Sequence, residues 1–145
     1  MIGLDTNVLL RHLTQDDPDQ SPRATEIIER ELSHQNPGFI SLVSILEIVW
    51  VRRSLYKRTR QEIADEIELI LAADTLEVQN EQEVFQAALA LRHGKGEFED
   101  ALIGALGIWQ GCSETLTFDE KAAKRLHGFS LITPQPPIAP TASVP

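Results

Sequence analysis

The chain has 145 residues, of which 42% are hydrophobic and 24% charged, with a formal net charge of −9. That length and balance describe one globular domain able to bury a core, which excludes an intrinsically disordered chain. The acidic excess counts against binding nucleic acid over the whole surface, but leaves room for a local basic face. A single cysteine, Cys112, allows no intramolecular disulfide and fits a reducing compartment; no motif marks it as reactive, and it is expected in buried packing. Asp5 interrupts the first apolar run before a secretory core could form, and no stretch approaches the roughly 20 apolar residues of a membrane helix. A cytoplasmic protein away from any membrane is expected.

The chain opens on Met1–Leu10, read as a buried strand that turns at Asp5 into a short helix. Ser21 and Pro22 are the expected N-cap and first residue of a second helix, with Ala24, Ile27, Ile28 and Leu32 on its apolar face. Asn36-Pro37-Gly38 is expected to end it. Phe39–Val43 is the second strand, and Ser44 is expected to start a helix through about Tyr56 with Glu47 in its first turn. Thr59 caps the next helix, which buries Ile63, Ile67, Ile70 and Leu71. Strand Leu76–Val78 and helix 81–92 follow, broken at Gly94-Lys95-Gly96. A helix from Phe98 to Gly111 carries Leu102, Ala105, Leu106 and Trp109 on one face and Asp100 near its start. Strand Glu114–Phe118 stops at Asp119; helix 120–126 and strand Ser130–Ile132 complete a domain spanning 1–133. The segment 134–145 holds five of the eight prolines and is expected to be disordered or extended. Strands alternating with helices imply a mainly parallel sheet in a three-layer α/β/α sandwich.

Four acids stand out, and each has a structural explanation of its own. Asp5 and Asp119 suit helix N-caps, Ser44-x-x-Glu47 is a capping-box pattern, and Asp100 in a first helical turn is favoured by the macrodipole. Jointly they point elsewhere. Asp5 and Asp119 follow apolar strands and share one sheet edge, and the helices carrying Glu47 and Asp100 can bring theirs to it. Four meeting carboxylates repel one another, and a divalent cation answers that repulsion. Carboxylate-only ligation selects a hard ion, Mg2+ or Mn2+. The four histidines show no ligand spacing and are expected at the surface.

Leu4-Asp5-Thr6-Asn7, Glu47, Phe98-Glu99-Asp100-Ala101-Leu102-Ile103 and Leu116-Thr117-Phe118-Asp119 resemble the PIN-domain pattern, and more narrowly that of VapC-type toxins of toxin–antitoxin pairs. The resemblance covers 1–133 and leaves out the proline-rich tail. It implies an endoribonuclease dependent on Mg2+ or Mn2+, usually a homodimer held inactive by a small antitoxin. By position, Asp5, Glu47, Asp100 and Asp119 match its catalytic and metal-binding acids, and Thr6, Asn7 and Thr117 its supporting polar residues. Glu97 and Glu99 are additional acids, expected to be solvated.

Hydrolysis of a phosphodiester by metal-activated water needs no side-chain nucleophile. RNA needs a positive surface, and Arg52, Arg53, Lys57, Arg58 and Arg60 offer a phosphate track. Arg11, Lys121, Lys124 and Arg125 are expected nearer the acids. The Glu47 helix is apolar around more than one stripe, which suits a deeply buried helix or an interface; the resemblance implies the interface, with an antitoxin segment docking near Trp50 and Leu55. Two other classes compete. A phosphatase or phosphotransferase with Asp5 as nucleophile is weakened by Asn7, where a second aspartate is usual. A non-catalytic interaction module is weakened by four acids at all four positions.

Overall fold

A computed structural model describes residues 1–135. The elements run β1 (Ile2–Gly3), α1 (Thr6–Thr14), α2 (Gln20–Glu26) widening into a π turn (Ile27–Glu31), β2 (Gly38–Ile40), α3 (Leu42–Ser54) and α4 (Arg60–Ala72). They continue with β3 (Leu76–Val78), α5 (Glu81–Arg92), α6 (Phe98–Gln110), β4 (Thr115–Thr117), α7 (Glu120–Arg125) and β5 (Phe129–Leu131). Every strand pair is parallel, as the strand–helix alternation requires. The α/β/α class expected from sequence is the one observed. The strands form two ladders, β1–β2–β3 and β4–β5, which share no strand pairing.

Side chains from both halves meet in one core. Ile40 of β2, Ile45, Ile48 and Val49 of α3, Ile67 of α4, Val84 of α5 and Phe98 and Leu102 of α6 are all essentially inaccessible. Burying each large side chain of this kind stabilises the fold by about 1.5–3 kcal/mol. Phe98 anchors the first residue of α6 and so fixes where Asp100, two residues on, emerges. Gly104 of α6 faces the ring of Phe129 of β5 so closely that any side chain there would overlap it. That approach seats the β4–β5 ladder against α6, and with it Asp119. Among the described residues no helix is long and apolar enough to cross a membrane.

Several expectations are corrected. Met1 and both residues of β1 are exposed rather than buried, because among the described residues the outer edge of β1 pairs with no strand. Helix α2 starts at Gln20, not at Pro22: Asp17 Oδ1 accepts from the backbone N–H groups of Asp19 and Gln20, and Ser21 is buried with its hydroxyl accepting from Asp17 N. That helix has ended before Asn36-Pro37-Gly38, and Gly38 opens β2. Helix α3 starts two residues before Ser44, capped by Ser41, which accepts from Ser44 N at 3.2 Å. Glu47 therefore lies in the second turn and belongs to no capping box. On α6, Trp109 is exposed, because the helix turns its last residues beyond the core. Cys112 is exposed as well, in the turn after α6. Of the proline-rich segment, 136–145 lies outside the described residues.

Candidate active site

The first pair of acids is built by the β1–α1 turn. Asp5 has extended backbone and caps α1, its Oδ1 accepting from Thr6 N at 2.7 Å. Helix α1 then starts at Thr6, whose buried hydroxyl points across to α3. It lies 3.1 Å from Ser44 Oγ and 3.2 Å from Glu47 Oε1, and donates to one of them at a time. Thr6 thus ties the end of β1 to the helix that carries Glu47. Ser44, which sequence reasoning took for a helix start, is the third member of that link. Asn7 is exposed beside Val8 and Arg11 in a shallow groove between α1 and α2.

The second pair is Asp100 and Asp119. Both line a cleft of about 330 Å³ between the α5–α6 connection and α7. Burial raises the Asp100 carboxyl above its ordinary value, and the charges of Asp119 and Glu99 raise it further. Asp119 caps α7, its Oδ1 accepting from Lys121 N at 2.9 Å and Ala122 N at 3.2 Å. Thr117 Oγ1 accepts from Asp119 N at 3.0 Å and holds the turn that presents the carboxylate.

Capping and ligation are compatible at this level of detail. Asp5 and Asp119 each commit Oδ1 to a helix N-terminus, and Glu47 commits Oε1 to Thr6. Among the described residues the second oxygen of each carboxylate takes no protein hydrogen bond. The four acids are nonetheless not gathered together: Asp100 and Asp119 share a cleft, Asp5 and Glu47 are linked only through Thr6, and no group of three or more His, Cys, Asp or Glu side chains among the described residues is placed to hold a metal. The donor set still suits a hard cation, since Mg2+ keeps several of its waters and is commonly held by one or two carboxylates. Asp100 with Asp119 meets that requirement.

Three arginines of the expected phosphate track at the end of α3 are engaged in ion pairs. Arg52 is 3% exposed and makes a two-pronged pair with Glu66 of α4, at 2.6 and 2.9 Å, while stacking on Tyr56. Arg53 reaches α6 instead, bonding Glu99 at 2.8 Å and Glu97 at 3.3 Å, so these two acids are ion-paired rather than merely solvated. Arg58 pairs with Glu62, and Arg11 with Asp16. Lys57 is exposed in a left-handed turn after α3. Lys121 does line the acidic cleft. Arg60, Lys95 and Arg125 line it too, although Lys95 carried no sequence signal beyond its flanking glycines.

Beside Glu47 an apolar groove of about 490 Å³ runs between α3 and α6. Leu46, Trp50, Val51 and Ile103 form its walls, and Glu47 and Glu99 lie along it. Trp50 and Leu55 are both exposed, and Trp50 alone belongs to the groove. His34, His93 and His127 are exposed as expected, while half-buried His12 contacts Thr25.

Residues 2–127 match the protein family described as PIN domain. No curated protein matches the chain.

Proposed function

Because the chain belongs to the PIN-domain family, whose members are generally metal-dependent nucleases, we propose that it is an endoribonuclease using Mg2+ or Mn2+. The observation that carries this reading is the meeting of Asp100 and Asp119 in one cleft, where among the described residues neither has an ion-pair partner. Two carboxylates facing one cleft with no direct ion pair suit a divalent cation, even with Arg60, Lys95, Lys121 and Arg125 lining the same cleft.

Asp100 and the free oxygen of Asp119 would hold the ion. A bound ion supplies an activated water and neutralises charge at the scissile phosphate. Thr117 fixes the Asp119 turn, and Thr6 orients Glu47 through its hydroxyl. In-line attack by water on phosphorus breaks the P–O bond to the leaving sugar oxygen, which takes up a proton. No covalent intermediate on Asp5 forms, in contrast to a phosphatase with an aspartate nucleophile.

We further propose that the protein acts in the cytoplasm as the VapC-type toxin of a toxin–antitoxin pair, as a homodimer. The α3–α6 groove is the docking site for the antitoxin: its apolar walls suit the apolar face of a peptide segment, and Glu47 and Glu99 suit a basic residue on it. The test is incubation of the purified chain with a panel of structured RNAs in Mg2+ or Mn2+. Discrete internal cuts that vanish with chelator support the reading. Intact RNA under both ions, or cleavage indifferent to chelator, overturns it.

A further inference from the structure

The β4–β5 ladder has one covered face and one bare one. Its register pairs Thr115 with Phe129, Leu116 with Ser130 and Thr117 with Leu131. Residues paired in register share a face, and their chain neighbours point the other way. The Thr115–Phe129 face is seated on α6, where a Cβ on Gly107 would stand 3.1 Å from Thr115 Oγ1 and one on Gly104 would overlap the Phe129 ring. The opposite face carries Leu116, Ser130 and, one step beyond the paired residues, Phe118 and Ile132. Backbone bonding continues to that step, since Ile132 N donates to Thr117 O at 2.7 Å. Leu116 is 59% exposed and Phe118 68%, so among the described residues no element covers this face.

The bare strip lies where the chain leaves the domain. Ile132 belongs to it, and Thr133, Pro134 and Gln135 follow as the last described residues. Residues 136–145 come next and hold Ile138, Ala139 and Val144 among four prolines. From Gly128 to Pro145 no side chain is charged, in a chain of which 24% is charged. An uncharged, proline-rich segment suits an apolar strip with an aromatic ring on it, the surface on which such segments commonly dock. Ten residues span about 30 Å when extended, against about 10 Å for the length of a three-residue strand. The segment is therefore long enough to turn back over both strands.

We propose that residues 136–145 fold back over the strip of Leu116, Phe118 and Ile132, with Ile138 seated against Phe118. Tethering at Ile132 gives the segment a high local concentration at the strip. A second copy of the chain has no such advantage and must bring a net charge of −9 against an equal one. The docked segment braces the end of β4, and with it the turn into Asp119. The contact depends on neither metal nor RNA, and so stands apart from the nuclease reading.

The test is isotope-filtered NMR on the full chain, in samples that mix labelled and unlabelled protein. Nuclear Overhauser contacts from Leu116 or Phe118 to Ile138 or its neighbouring prolines, arising within one chain, are expected. Absence of these contacts would overturn the proposal. Contacts found only between chains would overturn it too, and would make the strip a face between two copies. A thermal double-mutant cycle checks the same contact by its energy. Ile138→Asp should lower the melting temperature by roughly 2–4 °C in the wild type. In a Phe118→Ser background the same substitution should lower it by less than about one degree. An undiminished effect in that background, or no effect in the wild type, would overturn the docking.

Discussion

Arg52 of α3 and Glu66 of α4 form a buried, two-pronged ion pair, with Nη2–Oε1 at 2.6 Å and Nε–Oε2 at 2.9 Å. It belongs to the core rather than to a substrate surface. Glu66→Ala leaves the Arg52 guanidinium buried without a partner, at a cost of about 3 kcal/mol in unfolding free energy. Chemical denaturation measures that loss. RNA affinity of the folded fraction should be unchanged, whereas a matching loss of affinity would return Arg52 to the substrate track.

Thr6 has one hydroxyl hydrogen to share between Ser44 and Glu47. Thr6→Val removes it and should destabilise the protein by about 1–2 kcal/mol, because the buried Ser44 hydroxyl loses its partner. Cleavage should slow as Glu47 loses its orientation, and Thr6→Ser should restore most of the rate. Equal rates in Thr6→Val and wild type would reduce Thr6 to a packing role.

Asp119 serves both as a helix cap and, in the proposed mechanism, as a ligand, and two substitutions separate these roles. Asparagine caps nearly as well as aspartate, so Asp119→Asn should melt within a degree or two of wild type yet lose metal-dependent cleavage. Asp119→Ala should lose cleavage and about 1 kcal/mol of stability as well. A cleaving Asp119→Asn protein would leave the residue as a cap alone.

The raised Asp100 carboxyl predicts a pH dependence of stability. Its folded value exceeds its unfolded one, so the group's contribution is fully present below the unfolded carboxylate range and is lost as pH rises through the folded value. Asp100→Asn should therefore melt higher than wild type near pH 7, with the gain disappearing by about pH 3. Millimolar Mg2+ or Mn2+ at neutral pH should raise the wild-type melting temperature and leave that of Asp100→Asn nearly unmoved. Equal shifts in both proteins would place the ion elsewhere.

What was legible in the sequence is what local chemistry decides. Thr59 caps α4 with Glu62 in a reciprocal capping box, and β3 and α5 fall where β-branched residues, turn formers and helical periodicity place them. The acids at β1–α1 and β4–α7 are legible because strand ends and caps are local too. Long-range partners were not. Ser41 and Ser44 both precede Glu47 with cap chemistry, and the Glu47 bond to Thr6, 41 residues away, has no signature in either segment. Arg52 and Arg53 are adjacent cations that could equally have faced solvent; Glu66 and Glu99, on other helices, decide their direction. Trp109 and Cys112 were expected inside because their types usually are, but α6 carries its end past the core.

The most direct test is the rate at which Asp100→Asn cleaves a structured RNA that the wild type cuts, with folding checked by circular dichroism. A site in which Asp100 and Asp119 hold the ion predicts a loss of about a hundredfold or more in Mg2+ or Mn2+, with the fold intact. A folded Asp100→Asn protein cutting at the wild-type rate would contradict it.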